Sequence, residues 1–294
     1  MSDSGASILR PSVPSVVPSA GPRVSGHADE IDYEIKGHEM QFVEIELDPG
    51  ESAIAEAGVM MFKPACIRMD TVFGDASKPE AGVLARIAAA GKRLVTGSSL
   101  FVTVFTHEGQ GKARVAFSAP YPGNIMPFKL SSMGGTLIAQ KDAFLCAAKG
   151  VSIGVHFQRK IGAGIFGGQG FVMQRLEGDG WVFIHGGGTV VERLLAPGEE
   201  LHVDTGCVAA MEPTVGFDIV RAGSVKSMVF GGEGFFFAQL IGPGKVWLQS
   251  LPFSRFAGRM MSTAAAQNPG SGGGFSWGFG GNGLSGGSDG DSDS

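Results

Sequence analysis

Charge is scarce in this chain. Lys, Arg, Asp and Glu make up 17% of its 294 residues, against roughly 25% in an ordinary soluble domain. Part of the net −5 sits at the ends: the first 30 residues carry −1, and Asp289, Asp291 and Asp293 give the last stretch −3. The body between is nearly neutral. Its basic residues are scattered apart from the pairs Lys92-Arg93 and Arg159-Lys160. That excludes the basic face a nucleic-acid binder needs, and no nucleic-acid partner is expected. Cysteine is scarce as well. Cys66, Cys146 and Cys207 form an odd set with no CxxC spacing, which argues against a disulfide scaffold or a zinc ribbon. All three sit among apolar neighbours and read as small reduced core residues, which suggests a reducing compartment. No stretch of about 18 apolar residues lacks a charge or a break, so no transmembrane helix is expected.

What the chain has in excess is glycine, 48 residues in all, without the period of three that would mean collagen. A hydrophobic fraction of 43% supplies a core and excludes wholesale disorder. Three regions follow. Residues 1–30 carry Pro11, Pro14, Pro18 and Pro22 among serines and valines and read as a disordered Pro/Ser tail. With only two arginines they fall short of an Arg-rich presequence, so the expected location is cytoplasmic, with mitochondria the alternative for a eukaryotic chain. Residues 262–294 have the composition of a flexible Gly/Ser-rich acidic tail. Between them, residues 31–261 are β throughout. QFVEIEL (41–47), LFVTVF (100–105), ARVAFS (113–118), FVMQRL (171–176), WVFIHG (181–186), VVERLL (190–195), FFFAQL (235–240) and VWLQSL (246–251) are short β-branched or aromatic runs between Gly, Pro or Asp. One segment departs: KPEAGVLARIAAAGKR (78–93) has helical spacing, with Glu80 at its start and Lys92-Arg93 at its end, and predicts a short helix near 80–92.

Self-comparison gives the strongest signal. VEIELDPGESAIAEAGVMM (43–61) aligns with VERLLAPGEELHVDTGCVA (191–209) at an offset of 148, matching Pro49-Gly50-Glu51 with Pro197-Gly198-Glu199. A second element begins at Phe101, Phe171 and Phe235, spaced 70 and 64 apart, and turns each time at G-x-G. AQKDAFLCAA (139–148) is a weaker middle copy of the first element, placing Asp142 against Asp204 at an offset of 62. The body is therefore expected to be three related β-units, about 31–118, 119–188 and 189–258. One such unit cannot bury both faces of its sheet; three packed about a pseudo-threefold axis can.

Motifs with chemical potential are few. Gly162, Gly164 and Gly167 spell G-x-G-x-x-G, but an aromatic strand follows where a dinucleotide site needs a helix, so close backbone packing is the better reading. No H-x-H pair is present. His156, His185 and His202 could converge on a metal, as in a cupin-like enzyme, yet ordinary hydrogen-bonded or exposed histidines explain them more simply. Carboxylates Glu51, Glu56, Glu199, Glu200 and Asp204 stand at or after turns. Paired acids can do acid–base work, while turn residues copied by duplication are the plainer account.

The ordered set GSSLFVTVFT (97–106), APYPGNIMPFKL (119–130), KDAFLCAAKGV (141–151), GIFGGQGFVMQRLEGDGWVFIHGGG (164–188), PGEELHVDTGCVAAM (197–211) and GGEGFFFAQLIGPGKVWLQSLP (231–252) resembles the AIM24 family over about 35–258. The resemblance implies an all-β fold of repeated units like that of the tryptophan RNA-binding attenuation protein. It implies no established enzymatic activity, and it suggests a scaffolding or assembly role, here expected to run through protein partners or self-association; the chain is expected to be no enzyme and to carry no cofactor. The interaction surface is expected at Phe235, Phe236, Phe237, Lys245 and Trp247. A small-ligand module with a site between repeats is the alternative, its ligand unknown; a cupin-like metal enzyme is the weakest reading.

Overall fold

The computed structural model describes residues 27–73, 101–159, 171–221 and 236–267. The proposed helix at 80–92, the glycines at 162, 164 and 167, and Phe235 lie outside them.

Apart from a leading strand β1 (Asp32–Lys36), the described strands fall into three series of six. The first unit is β2 (Phe42–Leu47), β3 (Ser52–Glu56), β4 (Met60–Phe62), β5 (Ile67–Phe73), β6 (Phe101–His107) and β7 (Ala113–Ser118). The second is β8 (Gly123–Lys129), β9 (Thr136–Gln140), β10 (Phe144–Ala148), β11 (Ser152–Arg159), β12 (Phe171–Glu177) and β13 (Trp181–Gly187). The third is β14 (Val190–Leu195), β15 (Glu200–Asp204), β16 (Val208–Met211), β17 (Gly216–Arg221), β18 (Phe236–Ile241) and β19 (Gly244–Gln249). The offset of 148 between first and third units holds strand by strand for β2/β14 and β3/β15. The middle copy shifts: β9 precedes β15 by 64 residues, not 62, because it is the strand starts that correspond. Matching Asp142 with Asp204 had paired a residue of the 3-10 turn Lys141–Ala143 with the last residue of a strand.

Within each unit the first, sixth and third strands form one sheet, and the fourth, fifth and second form another. Units are joined where the second strand of one pairs antiparallel with the third strand of the next. β3 meets β10, with Ala55 opposite Cys146 and Ile54 opposite Ala147; β9 meets β16, with Ala139 opposite Ala210 and Ile138 opposite Met211. The outcome is four sheets: β1-β2-β7-β4, β5-β6-β3-β10-β13-β8, β11-β12-β9-β16-β19-β14 and β15-β18-β17. A closed threefold would carry three such junctions; two occur among the described residues.

Three apolar cores lie between successive sheets. One joins Val43, Ile45 and Phe117 of the first sheet to Phe105, Leu145 and Phe183 of the second. Another joins Ile54, Phe144 and Ile184 of the second to Leu137, Leu176 and Trp247 of the third. The last joins Phe171, Met173 and Val246 of the third to Leu240, Ala238 and Ile219 of the fourth. The two six-stranded sheets are thus covered on both faces. Hence TLIAQ (β9) and FLCAA (β10) are buried at every position and read as continuous apolar runs, whereas FVEIEL (β2) alternates. The polar row of the first sheet carries Lys36–Glu44 (2.8 Å), Lys112–Glu46 (2.6 Å) and Arg114–Glu46 (2.9 Å) ion pairs.

Glycines permit the closest backbone approaches, within the second unit and between it and the third. A Cβ on Gly123 would stand 2.2 Å from the Gly186 carbonyl, and one on Gly187 would stand 2.0 Å from that of Leu251. Gln249 stitches the same region: its side chain accepts from the Gly187 amide (2.8 Å) and donates to the Gly206 carbonyl (2.8 Å). Cys146 is buried, Cys207 half-buried, but Cys66 is exposed, because it follows Pro64 in the turn leading to β5.

The helix α1 (Phe253–Gln267) follows Pro252 and was not anticipated. Phe253, Phe256, Ala257 and Met260 recur at helical spacing, which was a readable signal, and the helix continues six residues into the segment read as tail. The first compact unit ends at Ala257; a second begins at Gly258, and its described residues are helical. Substituting Gly187→Ala is expected to lower stability by about 1–3 kcal/mol, since backbone rather than a flexible side chain must move; a denaturant midpoint unchanged from wild type would show that the close approach is not needed.

Candidate functional site

The residues expected to form one interaction surface are separated by the fold. Trp247 lies on β19 in the third sheet, only 4% exposed. Its ring packs edge-on against Phe128 at 4.8 Å, and its Nε1 donates to Glu192 at 3.0 Å. It is a core residue, because the second sheet, with Phe128 of β8, covers its face. Lys245, beside it on the same strand, is half-exposed and pairs with the other oxygen of Glu192 at 2.9 Å, which raises its pKa. Phe236 and Phe237 belong to a different sheet. Phe236 packs against the third core, and Phe237 stacks on His202 of the neighbouring strand at 6.4 Å. Lys245 and Trp247 are brought together by Glu192; Phe236 and Phe237 do not join them.

The histidines do not converge either. His156 is on β11, His185 on β13 and His202 on β15, in three different sheets. Among the turn carboxylates, Glu51 accepts from the Asp48 amide (2.9 Å) and Glu199 from the Ala196 amide (2.8 Å), the same turn closed twice. Glu200 faces His202 and Gln239; Asp204 accepts from the Gly206 amide and pairs with Arg255.

Glu56 is different. It ends β3 at the junction of the first and second units, next to Asp142 in the turn between β9 and β10. Burial, then the negative charge of Asp142, raises its pKa to about 7, with Lys141 opposing both. Asp142 reaches solvent along one side while protein crowds the rest, and that crowding raises its own carboxyl. Tyr121 completes the group. Burial, then Asp142 and Glu56, push its phenol upward. Its ring meets the edge of His185 at 4.5 Å and approaches Phe253 and Phe256 of α1 at 5.5 and 6.2 Å. His185 is 1% exposed, and neither ring nitrogen finds a hydrogen-bond partner. Burial holds the imidazole neutral, with a pKa of about 4, although the Tyr121 backbone lies near enough to favour the charged form weakly. The sequence showed Glu56, Asp142 and His185 separately; their assembly depends on the β3–β10 pairing.

A second feature concerns edges. β4 ends the first sheet with Met60, Met61 and Phe62 exposed at 37%, 55% and 43%. β15 ends the fourth sheet. The corresponding strands inside the chain, β10, β16, β3 and β9, are all paired on both sides. An exposed apolar edge strand is a template for another chain.

Comparison with known proteins agrees with the fold. The family model described as "Mitochondrial biogenesis AIM24" matches residues 33–251. An uncharacterized protein of Streptococcus pyogenes serotype M6 is 28% identical over 225 residues, spanning 75% of this chain and 86% of that one. A crystal structure of a Streptococcus pyogenes protein aligns with a TM-score of 0.63 over 80% of this chain and all of that one, at 22% identity. No helix among the described residues is long and apolar enough to cross a membrane.

Glu56 sets a pH dependence. Its folded pKa, about 7, lies above the ordinary 4.5, so the folded protein binds the extra proton between those values. Stability is full below about pH 4.5 with respect to this group and is lost as pH rises through 7, by roughly 3 kcal/mol. Glu56→Gln should remove that loss: its Tm is expected to exceed wild type at pH 8 and to match it near pH 5. Equal Tm differences at both pH values would exclude the assignment.

Proposed function

The chain belongs to the AIM24 family, and from that premise we propose that it is a non-enzymatic, cytoplasmic β-repeat protein that supports assembly by binding other proteins. The observation carrying this reading is β4, an edge strand with three apolar side chains turned outward. Extended peptides add to such edges by main-chain hydrogen bonds, while the exposed side chains select among them. The family description refers to mitochondrial biogenesis, which suits a role in building larger assemblies. The surface is placed on Met60, Met61 and Phe62 instead of on Trp247, whose indole is buried.

A second reading is a small-ligand module using the Glu56, Asp142, Tyr121 and His185 group. What favours it is a buried imidazole packed on Tyr121, whose phenol in turn feels the raised carboxyl groups of Glu56 and Asp142 at a boundary between repeats. Screening by thermal shift at pH 6 and pH 8 tests it, since a ligand of the native state raises Tm.

For the main reading, Met61→Lys combined with Phe62→Glu should keep the wild-type Tm, because both side chains are exposed. Affinity purification from the native host, read by quantitative mass spectrometry, should then show the co-purifying proteins depleted. A partner set unchanged by the double substitution would overturn it.

A further inference from the structure

We infer that β4 of one copy pairs with β15 of another, so that the chain assembles head to tail through the same junction that joins its own units. This rests on the reading of β4 as an interaction edge and names its partner as a second copy.

The argument is one of repetition. Each third strand meets the sixth strand of its own unit with one bulged residue. Met60 faces Phe117 and Phe62 faces Ala116, with Met61 between. Phe144 faces Ile184 and Cys146 faces Phe183, with Leu145 between; Val208 faces Leu248 and Ala210 faces Trp247, with Ala209 between. Phe62, Cys146 and Ala210 are therefore equivalent. Ala55, Ala139 and Val203, each the fourth residue of its unit's second strand, are equivalent too. Inside the chain Ala55 stands opposite Cys146, and Ala139 opposite Ala210. The remaining pair is Val203 with Phe62, one residue along from His202 with Lys63. Among the described residues, two junctions use up every second and third strand except these two, β15 and β4.

The side chains fit that register on both faces. At the first internal junction, Leu145 and Cys146 share a core with Ala53 and Ala55; at the second, Ala209 and Ala210 share one with Leu137 and Ala139. The same positions in the remaining pair are Met61 and Phe62 with Leu201 and Val203. The latter two already pack against the third core, and the former two stand exposed. On the opposite face Lys63 comes diagonal to the carboxylates Glu200 and Asp204, a charge match that fixes direction and register. Joined this way, the fourth sheet of one copy and the first sheet of the next form one continuous sheet with the strand order of the two internal ones and β1 added at its edge. The contact is heterologous, so it generates a ring or a filament instead of a twofold dimer.

The test uses the full chain with Cys66→Ser as background, carrying either Phe62→Cys or Val203→Cys. Under mild oxidation, the mixture of the two variants should give a cross-linked dimer and neither variant alone should. The double variant should give a ladder of higher species. Sedimentation velocity of the unmodified chain should show mass rising with concentration, abolished by Met61→Lys with Phe62→Glu, which leaves the fold untouched and guards against a Val203→Cys chain that folds poorly. A monomer at every concentration, or a double variant that cross-links only within one chain, overturns self-pairing. If, in that case, the β4 substitutions still deplete co-purifying proteins, the interaction reading survives and only the identity of its partner is wrong.

Discussion

Antiparallel pairing between the second strand of one unit and the third strand of the next is the constraint on which everything else depends. A single unit holds two three-stranded sheets, each with an edge and a bare face. The junctions β3–β10 and β9–β16 remove four of those edges and turn four small sheets into two of six strands. Only then can the inner sheets be apolar on both faces, with a core on each side. A polar side chain in β9 or β10 would have no water to face and would have to find a partner, as Gln140 does with Gln249 at 3.3 Å.

That constraint also explains where chemistry gathers. Glu56 is not unusual as a strand-end acid; Asp204 holds the corresponding place in the third unit and pairs with Arg255. Glu56 becomes unusual because the junction places it beside Asp142 in a poorly solvated corner, with Lys141 as a weak counter-charge. The same repeat position is a solvated ion pair in one unit and a proton-holding carboxyl in another. Duplication supplied the residue; the neighbour across the junction set its behaviour.

Much of the architecture was legible beforehand. Turn glycines, the repeated Pro-Gly-Glu and the aromatic runs marked strands whose limits differ from the observed ones by a residue or two at most of the ends, as in ARVAFS, which is β7 without change. Glu51 and Glu199 could be read as copied turn residues, and their side chains do close equivalent turns. Other features were less accessible. Trp247 belongs to the aromatic Gly-rich element expected at the surface; its burial comes from a sheet to which another unit contributes. Cys66 looked like a core residue from its neighbours, yet a turn carries it outward. The α1 spacing is present in Phe253, Phe256, Ala257 and Met260 but runs into glycine-rich sequence with the composition of a linker.

By itself the sequence determined the class of fold, the number of units and the family, because hydrophobic alternation and turn chemistry are local and duplication repeats them. Only the tertiary structure decided which strands are covered on both faces, which edges stay unpaired, and which carboxylates meet. Those are properties of pairing between residues far apart in the chain, such as Ala55 with Cys146. Nothing in the composition of either strand states which partner it will find, and the environment of every side chain along the junction follows from that choice.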